Sequence, residues 1–340
     1  MLANSLVLKL VPKNIGEQFP VRIAVTGSIA TDHLMTFPGR FADQLLPDQL
    51  HRVSLSFLVD ELEIRRGGIA ANISFGLGVL GQRPILVGAV GDDFADYRSW
   101  LDRHGVDTSG VHVSDIHHTA RFLCTTDQDH NQIASFYAGA MSEARNIELG
   151  PLGDLDLVVI SPNDPEAMVR HTDECRTRGI AFAADPSQQL ARMEGPEVRR
   201  LIDGAAYLFT NEYEKALCEQ KSGWSDEEIL SRVDIRVTTL GPKGVIIDRA
   251  GQEGLHVPAA PEVRKVEPTG VGDAFRAGFL SGVAWGLNLE RAAQVGNLVA
   301  AHALETAGPQ EYSLVFDAFL TRMSEAYGPE AAAEIKPFLA

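Results

Sequence analysis

Five short apolar runs, Arg22 to Gly27, Leu157 to Ser161, Ala181 to Asp185, Tyr207 to Thr210 and Arg236 to Leu240, constrain the fold of this chain more than any other feature. Each has the length of a strand buried on both faces, and helical patterns lie between several of them. Strands alternating with helices predict an α/β fold with a mostly parallel sheet covered on both sides. In such a fold, ligands bind beyond the carboxyl ends of the strands. With 340 residues, 45% of them hydrophobic, the chain can bury a large core. The segment 1–20 precedes the first convincing strand and is expected to be a loosely ordered extension, leaving 21–340 as the folded unit.

Two stretches break the alternation: His51 to Arg65, and the pair Thr119 to Thr126 and Gln132 to Ala138, which look like antiparallel strands joined by polar turns. They form a candidate lid within about 51–65 and 119–138, or else they extend the main sheet. A lid of this kind can also pair with its counterpart in a second subunit.

Forty-six acidic against thirty basic side chains give a formal charge of −16, which repels nucleic-acid phosphates and anionic lipid alike. No run of 18 apolar residues and no export signal is present, so no membrane partner is expected. Cys124, Cys175 and Cys218 are far apart and suit a reducing cytoplasm.

The chemistry concentrates in Pro268-Thr269-Gly270-Val271-Gly272-Asp273-Ala274-Phe275. Gly270 and Gly272 let backbone N–H groups converge on an anion at the start of a helix. Asp273 either caps that helix or takes a proton from an attacking hydroxyl. Gly67-Gly68 precedes the helical pattern Ile69 to Leu80 and sets Asn72 one turn in, as a surface amide or as a group facing a bound hydroxyl. Asp32 follows the first strand, where a carboxylate can accept from two vicinal hydroxyls or serve an ordinary loop. Asn211-Glu212-Tyr213-Glu214 opens a helix, as a capping box or as a water-mediated hold on magnesium.

Thr239-Leu240-Gly241-Pro242-Lys243-Gly244 ends a strand without the spacing of a Walker A motif, and reads as a nucleotide turn or a plain hairpin. Gly76-x-Gly78-x-x-Gly81 matches the dinucleotide pattern in letters only, because it follows a helix and precedes a strand. His112, His117 and His118 read as solvated loop histidines.

These motifs, in this order, resemble the ribokinase family, the PfkB carbohydrate kinases. The resemblance runs from about Val21 onward and is strongest to the bacterial adenosine kinases of that family, in Gly27 to Leu34, Arg66 to Asn72, Ile133 to Arg145, Ala183 to Arg192 and Pro268 to Phe279. It implies a three-layer α/β/α fold and ATP-dependent phosphorylation of adenosine to AMP; the cysteines add the expectation of a cytoplasmic enzyme, and the lid strands that of a homodimer. Kinases of another nucleoside or sugar, and a non-catalytic nucleoside sensor, are the alternatives.

By that resemblance the ribose lies against Asp32, Gly68 and Asn72. Ser28, Ser56, Gln188 and Gln189 meet the base, and Phe122 and Phe136 stack on it, as suits a purine. ATP lies along Asn211 and Thr239, Leu240, Gly241, Pro242, Lys243 and Gly244, with Gly270 and Gly272 under the γ-phosphate and Asp273 as base. Magnesium is held through Asn211, Glu214 and water, and Arg192 pairs with substrate or phosphate, or lies on a helix surface. One departure is Glu267-Pro268, where the family has Asp-Thr beside a monovalent-cation site. It leaves potassium activation open.

Overall fold

The computed structural model describes residues 21–45, 47–52 and 54–339. The expectation for 1–20 lies outside the described residues.

Among the described residues thirteen strands arise in chain order: β1 (Ile23–Thr26), β2 (Ala30–Thr36), β3 (Glu61–Gly67), β4 (Ile85–Val90), β5 (Val111–Val113), β6 (Ala120–Thr126), β7 (Gln132–Tyr137), β8 (Leu157–Ile160), β9 (Ala181–Ala184), β10 (Tyr207–Asn211), β11 (Ile235–Thr239), β12 (Val245–Asp248) and β13 (Leu255–Val257). Nine of them form one sheet in the order β13-β12-β11-β10-β9-β8-β1-β4-β5. It is parallel from β11 to β5, with β12 and β13 antiparallel at one edge.

Alternation along each strand divides the core between the two faces. Ile23, Val25, Tyr207 and Phe209 pack with Phe75, Phe275, Phe279 and Phe319 from the helices Ile69–Val79, Val271–Ala284 and Phe316–Tyr327. Ala24, Val158, Phe182 and Leu208 pack with Met168, Val198, Cys218 and Ile229 from the helices Pro165–Arg178, Gly195–Ile202, Glu212–Ser222 and Asp226–Arg232. This is the three-layer arrangement. Because β8 and β4 flank β1, the direction of winding reverses at β1, and a crevice opens where the chain leaves that strand.

A second, four-stranded sheet, β3-β2-β6-β7, covers that crevice. It corrects the predicted lid in two respects. Its strand in the first stretch begins only at Glu61: residues 51 and 52 belong to a short helical turn, and 54–60 carry no strand. It also includes β2, which pairs with β3 and β6 through full seven-residue registers. Asp32 therefore stands on a lid strand rather than in a loop. The polar side chains of Ala30–Thr36 hide that strand from a reading based on apolar runs.

Candidate active site

A cavity of about 560 Å³ lies between the lid and the carboxyl ends of the central strands. At the lid end its wall includes Phe122 and Phe136, which face each other across β6 and β7. At the other end stand Thr269, Gly270 and Asp273, with Asp32, Gly68 and Asn72 also lining the space. Ser28, Gln188, Gln189 and Arg192 complete the sequence-predicted set present there. Ser56 is absent from this wall and exposed, in the segment without strand structure. Ala30, Ile69, Met141 and Pro162 line the cavity without having been singled out, since small and apolar residues carry no chemical signal of their own.

The glycines of the turn are held by geometry. Gly270 caps the helix Val271–Ala284 at φ +77°, and an added Cβ would come within 2.4 Å of Pro309. The Val271 N–H is taken by the Pro268 carbonyl at 3.3 Å, while those of Gly272 and Asp273 have no acceptor among the described residues, so this end can receive an anion. Gly68 caps the helix Ile69–Val79 at φ +92°, and a Cβ there would strike the backbone of Ser28 and Ala30. Ser28 Oγ accepts from the Ile69 N–H at 3.0 Å, so this cavity residue also ties β1 to the helix start.

Asp273 is buried, and Asn72 Nδ2 donates to its Oδ2 at 2.9 Å. Burial pushes its carboxyl up to about 6, opposed first by Arg276 and then by the Asn72 hydrogen bond. That value suits a general base near neutral pH. Arg276 is itself buried and donates to Asp185 Oδ1 at 2.6 Å. Burial pushes Asp185 up to about 7 against the pull of Arg276, and Glu214 raises it further. Neither Arg276 nor Asp185 was named as a site residue. A charged side chain one turn beyond Asp273, within an otherwise apolar helix face, was the available signal.

On the lid, burial pushes Asp32 up to about 6, with Arg65 opposing. Arg65 on β3 makes a two-pronged contact with Glu63 and an ion pair with Glu267. Glu267 also accepts from the Gly308 N–H at 3.1 Å. The lid is thus tied to the residue that opens the glycine turn.

Farther along the sheet, Asn211 and Thr239 are register partners at the ends of β10 and β11. Asn211 and Glu214 form a reciprocal capping box, each side chain accepting from the other's backbone N–H at 2.8 Å. Thr239, Leu240, Gly241, Pro242, Lys243 and Gly244 make the hairpin between β11 and β12, closed by Leu240 N–H to Gly244 carbonyl at 2.8 Å. Gly241, Pro242 and Lys243 are exposed and lie outside the cavity wall. His112 stands on the edge strand β5 rather than in a loop, and the histidines meet carboxylates through the fold: His112 Nε2 is 2.9 Å from Glu143, and His118 lies beside Asp92 and Asp93. All three histidines are exposed. Gly76 and Gly78 lie within a helix against Ala277, Tyr312 and His104, a packing role.

The sequence profile of the pfkB family carbohydrate kinases matches residues 28–315. A nucleoside kinase of Methanocaldococcus jannaschii is 28% identical over 261 residues, covering 76% of this chain and 85% of that protein. The solved structure of a Burkholderia thailandensis nucleoside kinase in complex with inosine is 34% identical, with a TM-score of 0.80 over 90% of this chain and 99% of that one. The same protein in complex with ADP-inosine gives 36% identity and a TM-score of 0.78, over 90% of this chain and 96% of that one. With the profile spanning most of the chain and the fold matched nearly end to end, this protein belongs to the pfkB family of carbohydrate kinases, the ribokinase family.

Proposed function

We propose that this chain is an ATP-dependent nucleoside kinase whose acceptor is the 5'-hydroxyl of adenosine, giving AMP and ADP. The observation that carries the reading is the composition of one cavity wall: an aromatic pair at the lid end, and a buried carboxylate at a helix N-terminus at the other. Phe122 and Phe136 offer faces for a purine, which a free sugar would leave unused. Asp32 and Asn72 supply the polar groups that a ribose needs between the base and the 5'-carbon.

The mechanism follows from these positions. Ionised Asp273 takes the proton as the 5'-oxygen attacks the γ-phosphorus in line, the P–O bond to ADP breaks, and ADP leaves with that electron pair. The N–H groups of Gly272 and Asp273 at this turn hold the charge on the transferred group. ATP extends from there toward Asn211 and the turn Thr239 to Gly244, and exposed Arg192 meets phosphate or substrate. Asp185, Glu214 and Asp273 bring several negative charges near one buried cation, Arg276, a surplus that fits a hydrated magnesium ion held through Glu214 and Asn211. Bound there, magnesium would neutralise the phosphates of ATP.

Gln189 donates its Nε2 to the Asn163 carbonyl at 2.6 Å and leaves Oε1 without a partner among the described residues. That oxygen is closed off from the cavity and does not read the base; the Burkholderia relative was solved with inosine. A purine range that includes inosine is therefore the second reading. The apolar side chains exposed on the lid's edge strands, Leu62, Ile64, Ile133 and Tyr137, support a homodimer through the lid. The free, buried thiols fit a cytoplasmic enzyme. ADP release measured across adenosine, inosine, guanosine, ribose and fructose tests the assignment. Turnover of ribose or fructose with none of adenosine would overturn it.

A further inference from the structure

Behind Asp273 a row of buried polar groups from four elements runs back to the root of the lid. Tyr97, on the helix Ala95–Arg103, donates its hydroxyl to the Gly67 carbonyl at 2.8 Å. Gln310, 1% exposed, gives Nε2 both to the Tyr97 hydroxyl and to Asn72 Oδ1, the latter at 2.9 Å. Asn72 then donates to Asp273.

The polarity of this row is fixed from its far end. The Gly67 carbonyl can only accept, so it takes the single proton of Tyr97, whose oxygen is left to accept from its other neighbour. Gln310 must therefore turn its amide nitrogen toward Tyr97. The same nitrogen carries the second hydrogen that reaches Asn72 Oδ1. With its oxygen held in this way, Asn72 presents its NH2 to the carboxylate. Reversing any member would set oxygen against oxygen. The fold also leaves Gln310 Oε1 buried without a partner among the described residues, a cost that calls for an explanation.

We infer that Gln310, oriented by Tyr97, is a positioning residue that fixes the amide of Asn72 so that Asp273 accepts a hydrogen bond on one oxygen and keeps the other for the acceptor hydroxyl. Gln310 touches no substrate in this account and acts through Asn72 alone. The inference rests on the reading of Asp273 as the base, and its test separates the two. Arg276, Glu214 and the buried Tyr312 also bear on Asp273 or feel its charge, and they are unchanged in the variants below.

The test is the titration of the Asp273 carboxyl, followed by carbon NMR in the free protein, alongside the pH profile of adenosine phosphorylation. Gln310→Met keeps the length and removes the donor. It is expected to raise the Asp273 titration by about one unit and to lower kcat about tenfold, with KM for adenosine within about twofold. Gln310→Glu keeps the shape and reverses the polarity. At pH 8 it is expected to be slower than Gln310→Met, whereas a merely structural role makes the better shape match the faster enzyme. Tyr97→Phe, which loosens the fixed end, shifts the titration in the same direction by less and stands in if Gln310→Met does not fold. An unmoved Asp273 titration in the folded variants, or a Gln310→Glu enzyme as active as the original, overturns the inference. The NMR arm gives its answer even where Asp273 proves not to be the base.

Discussion

Arg276 lies one helical turn beyond Asp273 and donates to Asp185 Oδ1 at 2.6 Å, and both partners of that ion pair are buried. It is the cation that opposes the rise in pKa of both Asp185 and Asp273. Breaking a buried pair from one side leaves a charge stranded, so Arg276→Met is expected to cost about 3–5 kcal/mol. Thermal or denaturant unfolding reads this cost. In any fraction that folds, the pH needed for activity moves upward, because Asp273 loses the charge that favours its ionised form. Unchanged stability would show that Asp185 is neutral at working pH and that the pair is only a hydrogen bond.

Activity is expected to fall on the acid side. Asp273 and Asp32 both have carboxyls raised to about 6, chiefly by burial. A base must be ionised to accept a proton, and a protonated Asp32 no longer accepts from two ribose hydroxyls. The free-enzyme profile, kcat/KM against pH, should therefore decline below about 6 with a slope that steepens beyond one as both groups protonate. The sign is opposite for stability: each of these raised carboxyls favours the fold more as pH falls from about 6 toward the ordinary carboxylate value. Acid inactivation that tracks unfolding instead would count against this assignment.

Gly270→Ala separates the anion turn from generic helix capping. The position combines φ +77° with a Pro309 contact that a Cβ would bring to 2.4 Å. The left-handed backbone alone costs about 1–2 kcal/mol in a non-glycine residue, and relieving the clash displaces the N–H groups of the turn. Loss of turnover greater than loss of stability is the expected result, read by kcat and by melting temperature together.

Glu267 carries its counter-ion within the chain, through Arg65 and the Gly308 N–H. A carboxylate neutralised in this way has little need of a bound monovalent cation. Turnover in choline chloride is expected to stay within about twofold of that in potassium chloride at equal ionic strength. In Glu267→Ala, Arg65 is freed, which withdraws a negative neighbour from Asp32 and lowers its pKa. A strong potassium requirement in the unaltered enzyme would show that a cation binds elsewhere near the turn.

Local signals and long-range ones differed in how far they could be read. The strand-helix alternation is written in contiguous residues, so a mostly parallel sheet covered on both faces was legible from runs such as Arg22 to Gly27 and Tyr207 to Thr210, whereas the strand order was not. The Gly270-to-Asp273 turn was legible for the same reason. The lid was read only in part: Ser54 to Val59 has a strand-like apolar pattern and forms no strand, whereas β2 is strand with half-buried polar side chains. Pairing with β3 and β6 decides the conformation of β2, and pairing is not a local property. Ser56 fell outside the cavity with that segment. Gln310 was invisible because nothing in its own neighbourhood marks it; its partners Asn72 and Tyr97 lie 238 and 213 residues away in the chain.

The central claim is that Asp273 takes the proton from a nucleoside hydroxyl, and the kinetics of Asp273→Asn test it most directly. The asparagine keeps the shape and a hydrogen-bonding partner for the helix start while removing the base. Measured with adenosine and ATP, kcat is expected to fall about a thousandfold or more, with adenosine binding by calorimetry nearly unchanged. Turnover equal to that of the unaltered enzyme would contradict the account.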